Sequence, residues 1–158
     1  MKIEEGLKLT GRWRMVAHYK GTKKVFKVLE GDNLIVSVGK YLVGDMLIDR
    51  AGYDTGLTVH AIGSDATAPA VTDTSLAPTE VARKTVTAKT RLLNVITYST
   101  FFTAGESTFA IEEAGIFGHS TADPLTPDSG ILFNHYLVSF DNTGGLFDLT
   151  FYVVLTLG

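Results

Sequence analysis

The sequence contains no cysteine. That excludes disulfide frameworks, cysteine-based zinc sites, iron–sulfur clusters and cysteine nucleophiles. Proline is scarce, at four residues. No apolar run approaches the roughly 18 residues of a membrane span, so none is expected. The opening residues 1–14 have no apolar h-region and do not read as a signal peptide. Neither a phosphate-binding G-x-x-x-x-G-K nor a dinucleotide fingerprint occurs. Positive charge is missing from a whole stretch: no Lys or Arg follows Arg91.

What is present is a chain of 158 residues, 45% hydrophobic and 20% charged. That composition is globular, and about two thirds of the surface of such a chain is buried on folding. The charge is divided along the sequence. Residues 1–91 carry 14 basic and 10 acidic residues, and residues 92–158 carry 7 acidic residues alone. The first 27 residues hold 8 basic and 2 acidic groups, a net of +6. Such asymmetry favours head-to-tail contact between copies, or docking of the basic segment on an acidic surface. Two solvated rims of one fold would show the same pattern.

The hydrophobic pattern is mostly that of strands. Trp13, Met15 and Ala17 share one parity, Val25–Val28 form the next run, and Gly21-Thr22 reads as the hairpin turn between them. Leu34–Val38 reads as a short buried strand. Leu42 with Met46, and Val43 with Leu47, stand four apart, which predicts a helix near 39–50 stopped by Gly52. Leu57–Ile62 reads as a strand. Residues 64–78 are small, polar and proline-bearing, so they are expected to form a surface loop or extended arm. Glu80–Ala88 alternates as a strand, and Leu92–Phe102, Phe109–Phe117 and Ile131–Phe140 are further strand candidates. Residues 119–129 form a proline-containing loop. From Phe147 to Leu157 six apolar residues occupy alternate positions, the clearest strand of the chain and one expected to pair centrally. Twenty threonines suit exposed sheet faces. The expected fold is mainly β. It is a β-sandwich or partly open β-barrel with one short helix and an extended arm or loop. A basic N-terminal hairpin or arm (1–33) would join a β-rich domain (34–158) in one compact unit.

Catalytic constellations are absent from the pattern. His18, His60, His119 and His135 show no metal-binding spacing. Glu112 and Glu113 are adjacent, so in a strand they point to opposite faces and do not form an acid/base pair. Gly118-His119-Ser120 lacks the second glycine and the following helix of a nucleophile elbow. No enzyme, metal or cofactor is therefore expected. Arg12, Trp13, Arg14, Tyr19, Lys20, Lys23, Lys24, Phe26 and Lys27 interleave basic and aromatic groups as a nucleic-acid groove does. A hairpin with one apolar and one basic face explains them as well, and a pI near 5.7 argues against a dedicated nucleic-acid binder.

Two stretches carry a resemblance. The first is Ala61-Ile62-Gly63-Ser64-Asp65-Ala66-Thr67-Ala68-Pro69-Ala70-Val71-Thr72-Asp73-Thr74-Ser75-Leu76, followed by Glu80 and Arg83. The second is Phe102-Thr103-Ala104-Gly105-Glu106 with Ile111-Glu112-Glu113-Ala114-Gly115-Ile116-Phe117. They resemble segments of small structural proteins of tailed bacteriophages, which are head decoration, fibre or tail proteins. The pattern there is a strand ending in G-T-G, a T-A-P-A-x-x-D-T-x-L arm, E-x-x-R, then F-x-x-G-E and I-x-E-A-G-L-F. Here Ser64 and Asp65 stand in place of T-G. The resemblance implies a virion protein on the capsid exterior, with the tail as the alternative. Its partners would be the major capsid protein or other virion proteins, with self-association as a trimer or other symmetric oligomer and no membrane or nucleic acid. The expected contact residues are Arg12, Trp13, Arg14, Lys20, Lys23, Lys24 and Lys27 of the basic segment. Thr67, Pro69, Val71, Asp73, Thr74 and Leu76 of the arm complete the set.

Overall fold

The computed structural model describes residues 6–76 and 79–158. The ends of two expected features, residues 1–5 of the basic segment and 77–78 of the loop, lie outside that range. The fold is a β-sandwich. Its first sheet has the order β2-β1-β10-β7-β6, with β1 at Leu9–Tyr19, β2 at Val25–Asp32, β6 at Ala88–Leu92, β7 at Val95–Phe102 and β10 at Phe147–Leu157. Its second sheet has the order β3-β9-β8-β4-β5, with β3 at Leu34–Ile35, β4 at Leu57–Gly63, β5 at Glu80–Thr85, β8 at Ala110–Gly118 and β9 at Ile131–Asp141. Every ladder is antiparallel.

Alternation places the core. Leu149, Phe151, Val153 and Leu155 of β10 are buried together with Trp13, Met15 and Ala17 of β1. Opposite them lie Ile62, Ile111, Ala114, Ile116, Tyr136 and Phe140 of the second sheet, all in one cluster. As its alternation implied, β10 is the central strand, paired with β1 along Leu9–Tyr19 and with β7 along Val95–Phe102. The basic hairpin is integral to this sheet and is not a separate arm.

The sheets are joined at both sides. The edge strand β2 runs through Asn33 directly into β3, the edge of the second sheet. On the other side β5 runs into β6. Val86 donates to Thr58 O in the second sheet, and Thr87 donates to Ser99 O in the first. The alternating run Glu80–Ala88 is therefore not one strand. It changes sheets at a single peptide, and periodicity alone gives no sign of that because both pieces alternate. Leu92–Phe102 likewise divides into the end of β6, a turn at Leu93-Asn94, and β7.

The helix α1 spans Ser37–Leu47, earlier than the pattern suggests. It takes over part of the expected strand at Leu34–Val38. It stops at Asp49, not at Gly52: Asp49 has φ 53°, its N–H donates to Met46 O, and Arg50 N–H donates to Asp45 O. That is the paired closure of a Schellman turn, with aspartate in the place glycine usually takes. Leu42 is buried, whereas Tyr41, Leu47 and Ile48 are exposed.

Candidate functional site

The outer face of the second sheet carries its own apolar cluster: Val36, Val59, Ala61, Phe117, Leu132 and Leu76. Leu76 comes from the loop expected to be an extended arm. It is 2% exposed and lies over Gly115, where a side chain would collide with Asn134 O and Leu132. The loop is thus folded back on its own sheet. Ser37 N–H donates to Val71 O at 2.8 Å and ties the loop to the start of α1.

Two buried polar groups hold this layer. In the first, His135 of β9 stands between two carboxylates. Its Nδ1 is 2.7 Å from Asp73 Oδ2, and its Nε2 is 2.8 Å from Glu113 Oε2. Glu113 Oε1 is also 2.6 Å from the Thr79 hydroxyl. Asp73 Oδ2 accepts from Ala70 N–H at 2.8 Å. Burial disfavours the charged form of His135, but its hydrogen bonds and charge contacts with Glu113 and Asp73 outweigh that and raise its pKa. A cavity of about 120 Å³ adjoins the group, lined in part by Asp65, Thr67, Ser75 and Thr79.

In the second group Arg83 of β5 pairs with Glu80 at 3.3 Å, both side chains almost fully buried. The Arg83 guanidinium also donates to Ser129 O at 2.8 Å and lies 4.8 Å from the centre of the Phe117 ring. Burial pushes the Glu80 carboxyl up, against the pull of Arg83, and pushes Asp128 up as well. This group locks loop 119–130 to the sheet edge, since Asp128 N–H also donates to Glu80. It is closed to solvent, so its chemistry is structural.

The expected contact residues divide by placement. On the hairpin, Arg12, Arg14, Lys20, Lys23, Lys24 and Lys27 are exposed. Arg12 lies 3.6 Å from Asp32 and Arg14 opposes Glu30 in register. Among the described residues none of the four lysines makes an ion pair. Beside them the aromatic surface is open: Tyr19 is 39% and Phe26 is 47% exposed, and Phe26 stacks on Phe147 at 4.2 Å. Lys24 Nζ is 5.3 Å from the centre of the Tyr19 ring. Trp13 differs. It points inward and stacks on Tyr136 at 5.2 Å, because the odd parity of β1 faces the core. On the loop, Thr67, Val71 and Thr74 are exposed and Pro69 is half-buried, while Asp73 and Leu76 are turned to the sheet. Trp13 of the first set and Pro69 of the second line one groove, together with Asp32, Leu34 and His135.

Other residues weighed for chemistry are also committed elsewhere. Glu106 caps its own 3₁₀ turn at Thr103 and pairs with Lys84 at 2.8 Å. His119 Nδ1 is 2.8 Å from the Thr121 hydroxyl, and its ring meets Tyr53 edge-on. Among the described residues no group of three His, Asp or Glu side chains is placed to hold a metal ion, and no helix is long and apolar enough to cross a membrane. The His135 cluster carried no spacing signal, since its members come from a loop and two strands far apart in sequence, and of the Arg83 cluster only the Glu80–Arg83 spacing was visible. Their other trace is that Asp73, Leu76, Glu80, Arg83, Glu113, Gly115 and Phe117 all fall within the two motif stretches. No protein family, no curated protein and no solved structure matches the chain.

Proposed function

We propose that the chain is a non-enzymatic structural protein of a tailed-phage particle, a decoration protein that binds the outer capsid lattice and stabilises the head. The observation that carries this reading is the meshing of the two motif stretches. Leu76 of the first seats on Gly115 of the second, Asp73 and Glu113 share His135, and Arg83 covers Phe117. Segments that interlock residue by residue make one folded unit, which supports reading the two motif stretches together. The contact surface would be the hairpin, whose four exposed lysines beside exposed Tyr19 and Phe26 suit an acidic partner. Many weak sites on a symmetric lattice then add through avidity.

The test is the stoichiometry of purified particles, by gel densitometry against the major capsid protein. Decoration requires copy numbers comparable to that protein. It also requires that Lys20, Lys23, Lys24 and Lys27 changed together to Glu abolish binding to emptied heads without shifting the melting temperature. A few copies per particle would replace decoration by a tail, baseplate or fibre role. Absence from particles would overturn the virion reading, and loss of cell-wall hydrolysis on Glu106→Gln, Glu112→Gln or Glu113→Gln would establish an enzyme.

A further inference from the structure

The sequence reads residues 64–78 as an extended arm, yet the described part is folded onto the second sheet. Among the described residues, its middle is held mainly by polar contacts. Leu76 anchors one end by apolar burial. Between Ser64 and Ser75 the ties to the rest of the chain include the Ser37–Val71 hydrogen bond, the weak 3.4 Å contact of Asp65 N–H with Glu113, and the Asp73–His135 contact. Pro69 and the small side chains around it offer little area to bury.

The neighbours of His135 favour its protonated form. A neutral imidazole has one N–H, and its second nitrogen is an acceptor. Here both ring nitrogens lie within 2.8 Å of carboxylate oxygens. Asp73 Oδ2 already accepts a backbone N–H from Ala70, and Glu113 faces the Thr79 hydroxyl and the Asp65 N–H. Each carboxylate thus faces a backbone N–H, while the single proton of the Thr79 hydroxyl is shared between Glu113 Oε1 and Leu76 O. Both contacts are satisfied together when His135 is the imidazolium. The ionisable groups facing it are Asp73 and Asp65 from the loop and Glu113 from β8. The strand beyond β8 presents Ala61, and β3 presents Leu34. The neighbourhood is therefore acidic, and removal of the proton leaves Asp73 and Glu113 facing an unprotonated nitrogen or each other's charge.

We propose that Asp73–His135–Glu113 is a proton-operated clasp that stows residues 65–74 on the sheet when His135 is protonated and releases them when it is not. Release would free an extended, proline-containing segment, with Thr67, Val71 and Thr74 already exposed, to lie along a neighbouring chain. The inference stands on the clasp itself and holds whether or not the chain belongs to a virion. The sign follows from the raised pKa: the clasp is complete below the ordinary histidine value of about 6.5. It is lost as pH rises through the higher value of the folded state.

The test uses the intact chain and two readouts. Imidazole nitrogen NMR reports the state of His135, and the exchange protection of the Ser37 amide, corrected for intrinsic rate, reports loop seating. The expectation is an imidazolium at pH 6 and a fall of about tenfold or more in Ser37 protection as it titrates. That fall should be absent in His135→Gln. Asp73→Asn, at the rim of the group, keeps the proposal testable if His135→Gln does not fold. It should lower the His135 pKa and weaken Ser37 protection already at pH 6. A neutral His135 at pH 6, or Ser37 protection unchanged through the titration, would overturn the clasp.

Discussion

His60 lies between the sheets, 1% exposed, with Nε2 2.7 Å from the Tyr136 hydroxyl and its ring against Phe151 and Phe102. Burial alone pushes its pKa down to about 3. The folded state thus holds His60 neutral where the unfolded chain would protonate it. Its contribution is complete above about pH 6.5 and falls toward pH 3, by about 1.4 kcal/mol per pH unit. Denaturant melts of His60→Phe against the parent should show a shallower acid dependence in the variant across that window. Its effect has the opposite sign to that of His135, whose contribution is lost on the alkaline side. Arg83 makes a second test at this scale. Truncating one member of a buried pair strands the other charge. Arg83→Ala should therefore cost about 3–5 kcal/mol in chemical denaturation, and Arg83→Met with Glu80→Leu should recover much of it. Equal losses in the single and double variants would show that the cost comes from the contacts of the guanidinium with Ser129 O and the Phe117 ring and not from stranding Glu80.

At the scale of elements, α1 shows how tertiary contact overrides propensity. Two glycines interrupt its sequence, and each is worth up to about 1 kcal/mol to a helix if replaced by alanine. At Gly44 a side chain would meet nothing within 4 Å, so Gly44→Ala should raise stability by about 0.5–1 kcal/mol. At Gly39 it would drive into the Phe133 backbone of β9, so Gly39→Ala should instead lower stability by about 1–3 kcal/mol. Opposite shifts in melting temperature are the readout. The early end of α1 has a local origin instead: the Schellman turn at Asp49 and the 3.1 Å pair of Arg50 with Asp45 stop it before Gly52.

For the molecule as a whole, the division of charge along the chain does not survive as a division in space. The basic β1 pairs over its full length with β10, from the acidic part, and Gly21 N–H of the basic turn donates to Asp148 at 2.8 Å. What survives is local, the exposed lysines of the hairpin. Because β10 joins β1 to β7 at the centre of the first sheet, deleting residues 147–158 should abolish the cooperative thermal transition. A deletion variant that still melted sharply would mean that the second sheet folds alone.

The amino-acid pattern by itself determined the strands of the core, the hairpin, the central place of β10 and the single helix. Those follow from side-chain period, turn residues and apolar parity, which are local properties of the chain. Only the tertiary structure decided that Glu80–Ala88 crosses between sheets and that the arm-like segment is seated on its own sheet. Each of these depends on what lies across the gap. Asp73 and Glu113 meet because β9 places His135 between them, and no spacing along the sequence encodes that third residue.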